Sequence, residues 1–114
     1  MSLAKKLQLK DGQRVRIMGA PKGLSLDLPT TRSRSAEAVL VFVVRAAELE
    51  RRVAPLLEAA EADRLAWLAY PKAGQLGTDL NRDILWDRML AMGVRPVRQV
   101  AVDDVWSALR FRPA

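Results

Sequence analysis

Two stretches gather residue types that could do chemistry. In Tyr70-Pro71-Lys72 a phenol and an ammonium stand close together, and Thr78-Asp79 adds a hydroxyl and a carboxylate a few residues on. A lysine beside the free N–H groups of a helix start is a place where an anion can be held. The plainer alternative is a solvated lysine next to an ordinary helix cap. Lys72, Thr78, Asp79 and Tyr70 are therefore the candidate ligand- or anion-binding residues. The second stretch, VDDVWSALRFRP from Val102 to Pro113, adds two adjacent carboxylates, the Ser107 hydroxyl and two arginines. Adjacent strand residues point to opposite faces, so Asp103 and Asp104 are badly placed to share one cation. They read as a turn, with one of them paired to Arg98 or Arg110 across a hairpin.

A third place is the run Gly19-Ala20-Pro21-Lys22-Gly23. Gly19 and Gly23 could bring backbone N–H groups near a phosphate. A dinucleotide loop, however, needs G-x-G-x-x-G opening a helix, and this run has a proline inside. The acidic residue expected about 20 positions on, for a ribose, would fall in the basic loop around Arg32 and Arg34; Glu37 is poorly placed. Two glycines in a tight turn explain the run as well. No cofactor is expected.

Absent residue types narrow the chemistry further. The chain has no cysteine and no histidine. Disulfides, thiolate metal sites and cysteine nucleophiles are excluded, and so is every Ser-His-Asp triad. Ser107 has no histidine to activate it. No metal site and no catalytic residue is assigned, and the balance leans against an enzyme. Net charge is +6, and 14 of the 19 basic residues are arginine. Nucleic acid is one reason for such a balance; solubility is another. No basic segment is interleaved with aromatics: Trp67 reads as part of a buried strand, Trp86 as part of a helix, and Trp106 as packed. No apolar run approaches the roughly 20 residues of a membrane span, and the start lacks the pattern of a signal peptide. A cytoplasmic location follows by elimination.

These residues need elements to position them. Arg14 to Met18 alternates like a strand, with Val15 and Ile17 on one side. Leu24 to Leu28 fits a strand or a helical turn, and Pro29 to Ser35 is a polar loop. Ala38 to Val44 and Leu65 to Tyr70 are nearly continuous apolar runs, the pattern of strands buried on both faces. Between them the spacing of Leu49, Val53, Leu56, Leu57 and Ala60 predicts a helix over about 46–60. Pro55 should kink it or open a new first turn, and Glu48 and Arg52 form an i,i+4 pair. A second helix, capped by Thr78 or Asp79, runs to about Met92 with Leu85, Met89 and Met92 inward, and Gly93 stops it. Val94 to Val102 and Val105 to Arg112 are strands joined tightly at Asp103-Asp104, hence an antiparallel hairpin. Val105, Ser107, Leu109 and Phe111 share one of its faces. Strands alternating with helices imply a small α/β domain over 1–114: a mostly parallel sheet of about five strands with helices on both faces.

A βαβα unit that finishes in a hairpin resembles the C-terminal half of a class I methyltransferase-like Rossmann domain. GAPKG sits where such enzymes carry their glycine-rich cofactor loop. Three pieces also resemble a small bacterial family of uncharacterised proteins, a domain of unknown function: LQLKDGQRVRIMGAPKG, then YPK with TDLNRD, then VDDVWSALRFRP. The resemblance implies a Rossmann-like domain and carries no activity. The link from Leu24 to Glu37 departs from it by being short and polar. The leading expectation is a non-catalytic binding or scaffold module. The second is a cofactor- or anion-binding enzyme using the strand ends near Lys72, Thr78 and Asp79. The third, with least support, is an arginine-mediated nucleic-acid binder. An exposed sheet edge would be covered by homodimerisation, through that edge or through a helix face.

Overall fold

A computed structural model describes residues 2–114. Five strands form one sheet: β1 (Val15–Met18), β2 (Ala38–Phe42), β3 (Leu65–Pro71), β4 (Val94–Ala101) and β5 (Trp106–Pro113). Their order is β1-β2-β3-β5-β4. β1, β2 and β3 are parallel, with Val41 beside Leu68 in the β2/β3 ladder, whereas β5 is antiparallel to both β3 and β4. The closing hairpin is therefore present as the spacing predicts. Its last strand, though, does not lie at the edge: β5 slots between β3 and β4. That placement buries Trp106 to Leu109 on both faces and leaves β4 as the edge strand.

The apolar run Ala38 to Phe42 is buried at every position, as its unbroken β-branched pattern requires. The first predicted helix is a broken one. A 3₁₀ turn over Ala46–Glu48 leads into α2 (Leu49–Arg52), and α3 (Ala54–Glu61) starts afresh with Pro55 in its first turn. Proline lacks the N–H that a continuous helix would need there, and its fixed φ suits a first turn. Glu48 and Arg52 form the i,i+4 pair at 3.1 Å. α4 (Arg82–Ala91) buries Leu85 and Met89 and ends before Gly93, which takes a positive φ of 95°.

Helices on both faces is only partly what the chain does. α2, α3 and α4 pack on one face, where Leu49, Val53, Leu56, Leu85 and Met89 meet Val39, Val41, Leu68, Leu109 and Phe111. Both crossovers advance in the same direction across the sheet, so right-handed connections put their helices on the same side. The opposite face buries Leu40, Phe42, Trp67, Trp106 and Ala108. It is covered by α1 (Leu3–Lys6), with Leu7 just after it, and by the segment 24–28. That segment is neither strand nor helix. It lays Leu24, Leu26 and Leu28 on the second core, and then, on the outer edge of β1, the Pro29 carbonyl accepts the Val15 N–H and the Thr31 N–H donates to the Val15 carbonyl. At the other edge, β4 carries Pro96, a register shift between Pro96 and Arg98, and exposed Arg95 and Arg98. Proline, a bulge and charge are the usual means of blunting an edge, so the open edge expected to recruit a second copy is obstructed. Among the described residues, no helix is long and apolar enough to cross a membrane.

Candidate functional site

The carboxyl ends of β2 and β3 lie side by side, and the loop after β3 is stitched to the end of β2. The Thr78 hydroxyl donates to the Val44 carbonyl and accepts from the Leu80 N–H at 3.0 Å. Asp79 Oδ1 accepts the Ala46 N–H at 2.8 Å, and Arg45 Nη1 donates to the Gly77 carbonyl at 2.8 Å. Thr78 and Asp79 thus do not open α4, as their spacing suggested. Asn81 does, through its Oδ1 and the Ile84 N–H at 2.8 Å. Asp79 instead caps the turn at Ala46, which belongs to the preceding crossover. Its side chain is spoken for, and so is the Thr78 hydroxyl.

Tyr70 and Lys72 have a different setting. Lys72 continues the β3/β5 ladder with its N–H on the Val105 carbonyl at 2.7 Å. Tyr70 stands directly opposite Ser107 in that ladder, and its phenol oxygen accepts from Gln99 Nε2 of β4 at 3.1 Å. A cleft of about 460 Å³ opens over these groups, lined by Tyr70, Lys72, Asn81, Arg82, Gln99 and Ser107, among others. That volume falls within the roughly 300–1,000 Å³ of small-molecule sites. Burial pushes the Tyr70 phenol up, against the weaker pull of the Arg82 charge and of a Ser107 hydroxyl contact. The phenol consequently holds its proton at neutral pH, and because its oxygen already accepts from Gln99, it can offer that proton as a donor. Asn81 claims the Ile84 N–H, leaving those of Arg82 and Asp83 without a partner inside the helix. Two cations, a phenol and a hydroxyl thus line the cleft, beside the first turn of α4. Asp83, 3.8 Å from the Arg82 guanidinium and largely exposed, is the one carboxylate at the rim.

Gln99, Arg82 and Asn81 are members that sequence reasoning missed, and Ser107 was weighed there only as a nucleophile. The alternating pattern did place Ser107 on the face of Leu109 and Phe111, and a hydroxyl buried there, 7% exposed, was the available signal. Gln99 carried none, because its reach to Tyr70 depends on β5 lying between their strands.

The remaining candidates resolve into structure. Asp103 Oδ1 accepts the N–H groups of Val105 and Trp106, each at 2.8 Å, and so holds the hairpin turn. The expected ion pair across the hairpin does not form: among the described residues neither Asp103 nor Asp104 meets an arginine, and Arg110 Nη1 donates to Gln8 Oε1 at 2.7 Å instead. Gly19 has φ +74°, and a Cβ there would sit 2.8 Å from Arg52 Nη1 and 3.0 Å from the Phe42 carbonyl oxygen. Gly23, at φ +80°, faces open space. The hollow beside Gly19, about 210 Å³ between Met18, Val41, Arg51, Arg52 and Pro55, is smaller than the ~300 Å³ at which ligand sites begin.

The fold defines a small α/β protein with a mixed five-stranded sheet. The chain matches no family model, no curated protein and no solved structure.

Proposed function

We propose that the chain is a small binding module with a Rossmann-like sheet, which holds a small anionic ligand in the cleft over Tyr70 and Ser107. One observation carries this reading: Lys72 and Arg82 line the same cleft as the Tyr70 phenol and the Ser107 hydroxyl, at the carboxyl end of β3. Open α/β sheets bind ligands outside the carboxyl ends of their strands. Phosphate or carboxylate chemistry suits two cations around a phenol, a hydroxyl and a helix start. The Rossmann-like label rests on three parallel strands followed by an antiparallel pair, the arrangement that prompted the likeness to the C-terminal half of methyltransferase-like domains. The non-catalytic part rests on composition: the chain has no histidine or cysteine, and the Tyr70 phenol is shifted the wrong way for a base. For self-association, the exposed Trp86 and Leu90 on α4 offer a better face than the blunted β4 edge.

The test is a thermal-shift titration with inorganic phosphate and citrate. A ligand bound only by the folded state raises the melting temperature by mass action, reaching about 2.7 kcal/mol of stabilisation at a hundredfold excess over Kd. Saturable stabilisation that disappears in Lys72→Ala and Arg82→Ala supports the cleft. Absence of any shift, or a shift that survives both substitutions, overturns it.

A further inference from the structure

Residues directly opposite in an antiparallel ladder share a face, with Cβ atoms about 5 Å apart. Arg95 stands opposite Arg112, and Arg98 stands opposite Arg110. Arg110 and Arg112 are two residues apart along β5, so about 7 Å separates them on one face. Arg95 and Arg98, three apart, would ordinarily point to opposite sides. The register shift between Pro96 and Arg98 takes up the extra residue and brings both to the side of Arg110 and Arg112. The result is a two-by-two array of guanidinium groups on the sheet face that buries Trp67 and Ala108.

This array is poorly compensated. Arg112 meets Asp63 at 3.0 Å. Among the described residues, Arg110 reaches only Gln8, and its Nε is buried without a hydrogen-bond partner. Among the described residues, Arg95 and Arg98 form no ion pair, and both are exposed. Burial and then the Arg112 charge push Arg110 below its ordinary value, with Asp63 opposing and Arg98 adding to the effect. Like charges placed directly opposite repel, so two stacked arginine pairs are a cost in the free protein that an anion would relieve. Lys6, whose Nζ donates to the Ala101 carbonyl at 3.3 Å, adds a cation at the far end of β4.

We propose that the Arg95, Arg98, Arg110 and Arg112 array binds the phosphodiester backbone of a duplex nucleic acid. A regular array of arginines matches a regularly repeating anion better than a single small one, and the planar guanidinium grips phosphate oxygens bidentately. The partner is read by its backbone and not by its bases, because the array has no exposed aromatic on which a base could stack: Trp67 is fully buried, and Trp86 is on α4 across the sheet. For the same reason a duplex is favoured over a single strand. This surface is separate from the Tyr70 cleft, and either can fail without the other.

Fluorescence anisotropy tests it, using a labelled duplex of ~20 base pairs and a single strand of equal length, over a salt series. Poly-glutamate and phosphatidylserine vesicles serve as competitors. The wild-type protein is expected to bind the duplex at low salt, with affinity falling linearly on a log–log salt plot. Arg95→Gln/Arg98→Gln should reduce the slope by about 1.8, at about 0.9 for each phosphate no longer neutralised. Lys10→Gln/Lys22→Gln removes the same charge elsewhere and should leave the slope near that of the wild type. Melting curves check the fold; the arginine variant should melt no lower, since it removes repulsion and no partner. Lack of duplex binding at low salt, an unchanged slope in the arginine variant, tighter binding of the single strand, or equal competition by poly-glutamate or vesicles would each overturn the proposal.

Discussion

The Asp79 carboxylate accepts the Ala46 N–H at 2.8 Å, although the two residues belong to different crossovers. The loop after β3 thereby caps the turn that follows β2. Asp79→Ala leaves that N–H without its acceptor, and Asp79→Asn keeps an oxygen in place but loses the charge. The urea midpoint is expected to fall in both, and further in the alanine variant. Equal midpoints for the two variants and the wild type would show that the cap contributes nothing.

The same interactions set the acid limit. Burial alone would raise the Glu48 carboxyl, but the N–H groups of Arg45 and Val44 and the charges of Arg52 and Arg51 outweigh it and hold the group below its ordinary 4.5. Asp79 is held below its ordinary 3.8 chiefly by the Ala46 N–H. A carboxylate with a depressed folded pKa stabilises the fold above its unfolded value, and that contribution drains away as pH falls through the folded one. Stability measured by urea midpoints should therefore decline below about pH 4.5. Glu48→Gln should make the decline shallower.

Tyr70 is the sole tyrosine, so the absorbance of phenolate reports one group. Its titration midpoint is expected above the ordinary 10.0, because burial disfavours the charged form. With the folded value raised, the linked stability is complete below 10 and lost as pH climbs through the folded pKa. Tyr70→Phe should remove that alkaline loss, at a cost near neutrality of about 1 kcal/mol for the Gln99 hydrogen bond. A midpoint at or below 10.0 would contradict the buried setting of the cleft.

Trp67 Nε1 donates to the Leu7 carbonyl at 3.1 Å, and both side chains are fully buried. A four-residue helix is too short to hold itself together in water, so this anchor keeps α1 on the sheet. Trp67→Phe removes the donor and leaves a void, with an expected loss of about 2–3 kcal/mol. Leu7→Ala should cost about 2–5 kcal/mol. Denaturation midpoints measure both, and a red shift of tryptophan emission in Leu7→Ala would report the lifting of α1.

The two loop glycines should separate cleanly. Gly19→Ala combines a left-handed backbone with a Cβ jammed against Arg52 and the Phe42 carbonyl, whereas Gly23→Ala meets only the backbone strain. The second should cost about 1–2 kcal/mol and the first more. Similar losses in thermal melts would mean that Arg52 simply moves aside.

Local pattern determined the elements. The unbroken apolar runs at Ala38 and Leu65 became strands buried on both faces, and the stripe through Leu49, Leu56 and Ala60 became helices on the sheet. Pro55 marked a new helix start, and the turn chemistry of Asp103 closed the hairpin. All of these depend on residues near one another in the chain. Tertiary structure alone decided which distant groups meet. Because β5 lies between β3 and β4, Ser107 stands opposite Tyr70 and Gln99 reaches the phenol. Asp79 reads as a cap for its own helix until the end of β2 comes alongside it. Alternation sends Arg95 and Arg98 to opposite faces, and a one-residue shift in pairing reunites them. Periodicity is a property of one segment; the partners of a side chain depend on which segments share an edge and in what register, and that is settled only when the sheet assembles.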